Sequence, residues 1–264
     1  MAEVSGKDCT LKISGTAVAE VGMTAPVLTA NTVYQVVDVT KRVLDRTATI
    51  YVHVATDAPT AEAGTNTTTV KITGHGLITN DMIENTTRSF ARRLITYVDA
   101  NTFTVTAIAG QTSGDNLAMY TTNTAATVNR LNGKVTFPTS EVRGVAISTS
   151  YLPMTTVGYA NAASKSMMCD MLDDTVFGDS YKSRTVGLKS ASGTLTQLDV
   201  TDTTYSDALT AGNPIVIEYL TSSTAEPTRF WAILDSDEVT AAVDGLQNEI
   251  VSWTSTDAWM KLGI

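Results

Sequence analysis

The sequence predicts a mainly β protein: a two-sheet β-sandwich or barrel-like domain with one short α-helix and an inserted small β module. Threonine and valine are abundant while charged residues make up only 17% of the 264 residues, and β-branched side chains favour strands. Short alternating segments recur roughly every 10–20 residues, which is typical of sandwiches and barrels. Turn signals separate them, and Asn132-Gly133 is the strongest hairpin turn in the chain.

The strands follow from alternation of apolar and polar residues between turns. The Asn132-Gly133 turn joins predicted strands over 128–131 and 134–137, and Pro153 ends another predicted strand over 143–151. The other strands are predicted over 8–13, 33–38, 47–54, 165–172, 182–188, 193–199, 214–220, 229–235 and 248–254.

The pattern of residue types along the chain changes within its first half. Residues 55–67 include Pro59 and Gly64 among several Ala and Thr, which predicts a linker. Residues 68–120 alternate short strands with clear turns, among them Asp99-Ala100-Asn101. We therefore predict that 55–122 form an inserted β module, while 1–54 and 123–264 together form the main domain.

One helix is predicted, shortly before the strand over 214–220. Gly212 is suited to end it and Pro214 blocks its continuation. The candidate capping residues are Thr203, Thr204 and Ser206, and the candidate buried side consists of Ala208, Leu209 and Ala211.

The net charge of -9 is carried by one end of the chain. Residues 1–160 hold twelve acidic and twelve basic residues, whereas 161–264 hold fifteen acidic and six basic ones. An acidic surface does not bind nucleic acid through its phosphates. It does allow DNA to pass nearby without adhering, because like charges repel.

The residues give no support to catalysis, a metal site or a cofactor. His53 lies in a Val-rich strand pattern and His75 in a Gly-flanked turn, and neither has metal-ligand spacing to a second ligand. Phosphate-loop, dinucleotide and nucleophile-elbow motifs are missing from the sequence. Cys9 and Cys169 are a distant pair and are interpreted as two free, mostly buried thiols.

We interpret three charged clusters as structural features and not as binding sites. Residues 173–174 and 235–238 are acidic but lack the interleaved Gly and Asn of a calcium loop, so we interpret them as solvated or interface turns. Arg92-Arg93 is interpreted as a pair of strand-edge charges that discourages wrong pairing.

The sequence contains no run close to the roughly 20 apolar residues that span a bilayer. The first residues are polar and lack the apolar centre of a secretion signal. We expect the protein to be made in a cytoplasm and to stay there until something releases it, without a membrane partner.

The residues resemble the major tail tube proteins of long-tailed, siphovirus-type bacteriophages. The resemblance covers roughly 1–54 and 123–264 and rests on the order of several short motifs. The closing stretch is the most family-like, and LDDTVFGD at 172–179 resembles the family's acidic-Thr-Phe-Gly segment. The carrying segments are 6–8, 34–40, 131–137, 151–154, 172–179, 187–188 with 192–195 as a central hairpin, 208–212 with 214–218, and 242–246 through 252–257.

The resemblance implies a structural virion protein without enzymatic activity. Such proteins form stacked rings, usually of six subunits, whose strands pair across subunits into an inner barrel that conducts DNA during ejection. The implied partners are further copies of the chain, the tape measure protein, the tail terminator and distal tail proteins. The implied location is the tail tube of a virion assembled in the host cytoplasm.

Two sets of site residues follow as hypotheses. Acidic residues of the second half are candidates to face the lumen: Asp170, Asp173, Asp174, Asp179, Asp199 and Asp202. The segments 38–48 and 155–180 are the most loop-like candidates for contacts between rings, with Lys41, Arg42, Asp45, Arg46 and Phe177 as the named residues. For the module at 55–122 we expect an outward projection on the tube exterior.

Three other kinds of protein stay open at this point, of which a capsid-lattice protein is the third and weakest. A tube protein of a contractile secretion system would use the same ring-forming logic. A surface adhesin or capsid decoration domain would also suit Thr-rich strands, but it would be expected to carry a signal or anchor and to remain monomeric.

Overall fold

A computed structural model describes residues 10–29, 31–157, 160–176, 181–198, 204–220, 227–240, 247–257 and 260–261. The elements, in chain order, are β1 (Thr10–Ser14), β2 (Val18–Ala25), β3 (Val27–Thr29), β4 (Val33–Gln35), β5 (Tyr51–Ala55), β6 (Thr69–Lys71), β7 (Met82–Asn85), β8 (Phe90–Asp99), β9 (Thr102–Val105), β10 (Leu117–Thr122), β11 (Thr127–Asn129), β12 (Lys134–Thr136), β13 (Val145–Tyr151), β14 (Met154–Thr156), β15 (Ala160–Asp173), β16 (Arg184–Leu198), α1 (Thr204–Ala211), β17 (Ile215–Leu220), β18 (Thr228–Thr240), β19 (Asn248–Ser255) and β20 (Met260–Lys261).

The predicted mainly β class is confirmed, and α1 is the α-helix of the described residues. By contacts, the chain divides into two compact units. Unit 1 consists of Met1–Gly15 and Met154–Ile264, and unit 2 consists of Thr16–Pro153. The predicted module at 55–122 lies inside unit 2 and contributes strands to its large sheet, and its origin as an insertion stays a prediction.

Unit 1 is built on one eight-stranded antiparallel sheet. Its strands run in the order β14-β1-β17-β18-β19-β16-β15, and β20 also pairs with β18. The sheet and α1 enclose a core rich in aromatic side chains, in which Phe230 and Trp253 lie with ring centroids 5.3 Å apart. The remaining buried core residues are Leu11, Ala191, Leu195, Tyr205, Ile217, Ala232, Leu234 and Val251.

The helix of unit 1 confirms its predicted end but not its predicted caps, because Ser206 lies within α1, which begins at Thr204, and Thr203 lies outside the described residues. Gly212 has a φ of +63°, and its N–H donates to the Ala208 carbonyl at 3.0 Å, which ends α1 as predicted. Ala208 and Leu209 pack against the core, but Ala211 is exposed, so its predicted burial is wrong. Tyr205 is buried in its place and anchors the first turn of the helix.

Strand β16 corrects the sequence analysis. The two strands predicted over 182–188 and 193–199, and the central hairpin expected around Gly193, are one continuous strand from Arg184 to Leu198. Gly193 does not turn the chain. It lies opposite Trp253 of β19, and a Cβ at this position would be 2.6 Å from Trp253 Cζ2 and would also collide with the Ser164 carbonyl oxygen. Glycine is therefore required here for close packing on both sides of the strand.

Unit 2 contains two sheets. The larger has the order β2-β13-β5-β10-β7-β8-β9-β6, and the smaller has the order β11-β12-β4-β3. Both predicted hairpin turns are confirmed, since β8 pairs with β9 across 100–101 and β11 pairs with β12 around Gly133, which has a φ of +62°. One core cluster lies around Val36 and Ile147, and another lies around Phe103 and Leu117.

Arg92 has a different role from the predicted strand-edge charge. Its side chain is largely buried, lies over the Tyr120 ring and pairs with Glu84 at 3.1 Å. It also donates to the Gly22 carbonyl of β2 at 3.2 Å, which links β8 to a strand with which it has no described ladder. Gly22 makes this approach possible, because a Cβ there would lie 2.6 Å from Arg92 Cβ.

His53 is a strand residue, as predicted, and it is fully buried on β5. Its Nδ1 lies 3.5 Å from the Thr122 hydroxyl, and its Nε2 has no hydrogen-bond partner among the described residues. Burial, assisted by the positive charge of Arg92, lowers the pKa of His53 from 6.5 to about 4. The imidazole is therefore neutral at pH 7.

The packing at Gly193 gives a first prediction. Gly193→Ala forces the Trp253 ring or the Ser164 carbonyl to move, and overpacking of this kind costs about 1–3 kcal/mol. We expect urea unfolding of the free subunit to show that the free energy of unfolding of unit 1 falls by this amount. Ser192→Ala, at the exposed neighbouring position, is the matched control and should change the free energy of unfolding by less than about 0.5 kcal/mol. Equal effects of the two substitutions would contradict the packing argument.

The pKa of His53 gives a second prediction. Because the folded-state pKa is below the unfolded value, unfolding takes up a proton below pH 6.5 and the free energy of unfolding decreases as the pH falls toward 4. The full decrease is about 3 kcal/mol. We expect this slope in urea unfolding at pH 7.5, 5.5 and 4.5.

The variant His53→Gln should abolish most of that slope between pH 6.5 and 4.5. Asp115 and Glu141 also have lowered pKa values, because hydrogen bonds from Arg88 and Arg143 stabilise their carboxylates. Their contribution is lost only at lower pH, through their folded pKa values. An unchanged slope in His53→Gln would show that the buried imidazole is not its source.

Candidate functional site

The longest hairpin of unit 1 extends past the sheet to which it belongs. Strand β15 pairs with β16 from Ala160–Gln197 to Asp173–Arg184. Strand β19 covers the other edge of β16 only from Leu198 to Ser192. Beyond Ser192, β16 has β15 as its one described strand partner. We name residues 166–176 and 181–191 the arm.

The arm is fixed at its base by the core of unit 1. Lys165 lies with Nζ 5.0 Å from the centroid of the Tyr219 ring, and the Tyr219 hydroxyl donates to the Ala163 carbonyl at 2.9 Å. The Ser164 and Thr194 hydroxyls are hydrogen-bonded across the hairpin at 2.8 Å. These contacts hold the start of the arm in a defined direction.

Large apolar side chains are exposed along the whole arm. Tyr181 is 88% exposed and Leu188 is 82% exposed. The other exposed members are Met167, Met168, Met171, Leu172, Val176 and Val186. A soluble monomer seldom presents so many contiguous apolar side chains, and such patches mark interaction sites.

Both faces of the arm share this apolar character. Side chains alternate along a strand, so Met168 and Leu172 lie on one face of β15 while Met167 and Met171 lie on the other. Val186 is the register partner of Met171 and adds to the second face. A hairpin that covers a core has only one apolar face, so this arm is not built to cover the core of its own unit.

Hydroxyl groups stabilise the outer end of the arm. Thr175 donates to Asp173 Oδ1 from its backbone N–H at 3.1 Å and from its hydroxyl at 2.5 Å. The Thr185 hydroxyl donates to Asp174 Oδ2 at 2.6 Å across the hairpin. These hydrogen bonds lower the pKa of both carboxyl groups, which are therefore ionised at neutral pH.

The arm contains the described lumen candidates. Asp170, Asp173 and Asp174 are all exposed there, whereas Asp179, Asp199 and Asp202 lie outside the described residues. The interpretation of 173–174 as a turn is wrong for Asp173, which ends β15, and the acidic residues 235–238 lie within β18.

The ring-contact candidates of segment 38–48 lie on unit 2 and are held there. Lys41 pairs with Glu20 at 3.2 Å, and Arg42 Nε donates to the Val36 carbonyl at 2.9 Å. Asp45 accepts from the Thr47 N–H at 2.8 Å. Arg46 is exposed in the same segment. The segment contains a 3₁₀ turn, Val39–Lys41, and two buried residues, so it is an anchored loop.

The prediction of a loop is wrong for most of the second candidate segment, 155–180. Most of it is strand, because β14 ends at Thr156 and β15 runs from Ala160 to Asp173. Phe177 lies outside the described residues. Cys169 is exposed on the arm, so the expected burial of its thiol is wrong, and Cys9 lies outside the described residues.

The sequence contains a signal for the arm that alternation alone does not reveal. The run Met167-Met168-Cys169-Asp170-Met171-Leu172 has apolar residues at consecutive positions. In a half-buried strand one face is polar. A run that breaks this rule is typical of a strand that is covered on both faces.

The described residues offer neither a metal cluster nor a membrane-spanning helix. Groups of three or more His, Cys, Asp or Glu side chains able to hold a metal ion do not occur among them. No described helix has the length and apolar character needed to span a membrane.

Comparison with known proteins gives partial likenesses to two solved structures. One is the tail of an empty gene transfer agent particle from helical refinement with C6 symmetry, with 13% identity, a TM-score of 0.38, and coverage of 41% of this chain and 86% of that chain. The other is the virion of a native gene transfer agent particle, with 15% identity, a TM-score of 0.37, and coverage of 41% and 88%. At these scores neither likeness establishes a common fold. No protein-family model and no curated protein matches the chain.

The structure of the arm predicts uneven protection from hydrogen exchange in the free subunit. Amides of 184–191 have a strand partner on one side only, whereas amides of 192–198 lie between β15 and β19. Amides with fewer buried contacts open at lower free energy. We expect mean exchange over 184–191 to be at least about tenfold faster than over 192–198 in dilute protein. Similar rates in the two halves of β16 would contradict this description of the arm.

Proposed function

We propose that this protein is a non-enzymatic structural subunit that assembles with copies of itself, through its arm, into stacked rings that form the tail tube of a phage-like particle. The observation that carries the proposal is the arm: a hairpin with apolar side chains on both faces and free backbone on both edges. Each of these features is a cost in an isolated subunit and a source of binding energy in an assembly.

The free edges are the first part of the argument. Along β15 the outer edge has no described strand partner, and the outer edge of β16 has none from Ser190 to Arg184, because the Ala191 N–H still donates to the Ser255 hydroxyl at 2.9 Å. Unpaired N–H and C=O groups of an edge strand are satisfied by a strand of another chain. An isolated two-stranded hairpin is also only marginally stable in water, so the arm gains order when it is paired.

The geometry of the two edges favours a ring. A hairpin that offers β15 to one neighbour and β16 to the other makes a heterologous interface, because the two surfaces are different. Such interfaces generate closed rings when the rotation between subunits closes. A closed ring of arms leaves no strand edge exposed around its centre, and the apolar faces are then covered by neighbouring arms and neighbouring rings.

The resemblance to siphovirus tail tube proteins supplies the identity of the ring. It implies about six subunits in each ring, DNA as the cargo of the lumen, and the tape measure, terminator and distal tail proteins as partners. The excess of acidic over basic residues in 161–264 is consistent with a channel that lets DNA pass without binding it.

The geometry of the arm limits which of the acidic residues can line the lumen together. Asp170 and Asp173 are three positions apart on a strand without an inserted residue between them, so they lie on opposite faces of the arm. At most one of these two residues faces a lumen lined by one face of the arm. Ring contacts by 38–48 and an exterior position for 55–122 remain further proposals.

Substitution of the exposed apolar residues tests the proposal. Leu188→Asp removes an apolar side chain from the presumed interface and places a charge there. Burial of a leucine is worth about 1.5–3 kcal/mol, so the concentration needed for assembly should rise at least about tenfold. The free energy of unfolding of the subunit should stay within about 0.5 kcal/mol of the original, because the side chain is exposed. Sedimentation and negative-stain electron microscopy measure the assembly.

Ile78→Asp is the matched control, because Ile78 is 64% exposed and lies in unit 2. It should leave the assembly concentration unchanged. Hollow tubes or stacked rings from the original protein, lost in Leu188→Asp alone, would support the proposal. Persistent monomers at all concentrations and salts, also in the presence of tail initiation proteins, would overturn it and favour a monomeric binding domain.

A further inference from the structure

The two strands of the arm carry opposite charges. On the β15 side, residues 166–176 hold three acidic residues and no basic one. On the β16 side, residues 181–191 hold three basic residues and no acidic one. The acidic residues are Asp170, Asp173 and Asp174, and the basic residues are Lys182, Arg184 and Lys189. The charge therefore changes sign from one outer edge of the arm to the other.

Salt bridges within the arm do not neutralise these charged side chains. Asp173 and Asp174 accept hydrogen bonds from Thr175 and Thr185. Asp173 and Arg184 are register partners, but the salt bridges between described residues all lie elsewhere in the chain. The carboxylates and the cationic groups are therefore exposed and available to a neighbour.

The polarity distinguishes between ways of joining two arms. If the β15 edge of one copy pairs with the β16 edge of the next, acidic residues lie beside basic ones. If two copies pair through the same edge, acids meet acids or bases meet bases. Opposite charges on adjacent strands stabilise pairing, and like charges directly opposite destabilise it.

We propose that the arm docks on the arm of a second copy of this chain, with the acidic β15 edge against the basic β16 edge, and that this polarity fixes the direction of subunits around the assembly. The inference rests on the proposed function, because it concerns the same arm. It goes beyond that function by naming the charged groups through which the two edges recognise each other.

Charge reversal on one edge at a time tests the proposal. The first variant combines D170K, D173K and D174K, so that both edges are basic. The second combines K182E, R184E and K189E, so that both edges are acidic. Each variant alone should need at least about tenfold more protein to assemble, because every junction then sets like charges together.

An equimolar mixture of the two variants should assemble at nearly the original concentration, because in an alternating ring every junction joins a basic edge of one variant to an acidic edge of the other. The rings in the mixture alternate the two variants and therefore need an even number of subunits. A chain that carries all six substitutions should assemble alone. At about 1 M salt, where charges are screened within about 3 Å, each single-edge variant should partly recover.

A smaller pair of substitutions guards against a folding defect in the arm. D170K and K189E leave the hydrogen bonds of Asp173 and Asp174 in place, and they should reproduce the loss and the recovery with a weaker effect. Normal assembly of the variant with the reversed β16 edge would overturn the inference and indicate pairing through β15 alone. Failure of the mixture to recover would also overturn it. Failure of the original protein to assemble would instead refute the proposed function.

Discussion

The contact between Trp253 and Gly193 organises unit 1, because it fixes where the sheet ends and where the arm begins. The indole needs the space that a side chain at 193 would occupy, so β16 and β19 are drawn together at this point. One residue further along, β19 loses its partner register and β16 continues with β15 alone. The buried half of β16 therefore stabilises the fold, and the exposed half is free for association.

This division lets one strand meet two different requirements. Residues 192–198 contribute Leu195 to the core, and their stability is local to the subunit. Within the arm, Ala191 belongs to that core, whereas the apolar residues further along the hairpin are exposed. Substitutions at the exposed positions should therefore have little effect on folding. Proteins that build large assemblies benefit from such a separation, because the subunit folds before its interface is complete.

Much of the fold was predictable from the sequence, and the exceptions have physical reasons. Alternation located β19 well, since its buried residues occur at every second position. It also located β5, β13 and β17, although each of these buries three or more consecutive residues and is therefore covered on both faces. Alternation failed at 182–199, where Gly187 and Gly193 were interpreted as punctuation although both lie within one strand. Glycine has the same local signature in a turn and in a tightly packed strand, and the Trp253 contact that decides between them is distant in sequence.

The candidate site was predictable only in part. The acidic residues of 170–174 were identified from charge alone, but their place on a hairpin with basic residues opposite depends on the register of β15 and β16. The anchoring of 38–48 by Glu20 was equally invisible, because it joins residues whose proximity is created by the sheet. Local composition shows which residues are unusual for a strand. The pairing of the strands, which local composition does not give, determines which residues lie beside them.

The exposed arm also sets a limit on the solubility of unassembled protein. Consecutive apolar residues beside a free strand edge are the ingredients of uncontrolled β aggregation. Each edge carries charge of one sign, acidic on β15 and basic on β16, so stacks that pair two equal edges bring like charges together and are disfavoured. If the arm serves assembly as proposed, ordered growth and aggregation compete for the same monomer, and the outcome depends on how fast growing ends withdraw it from solution.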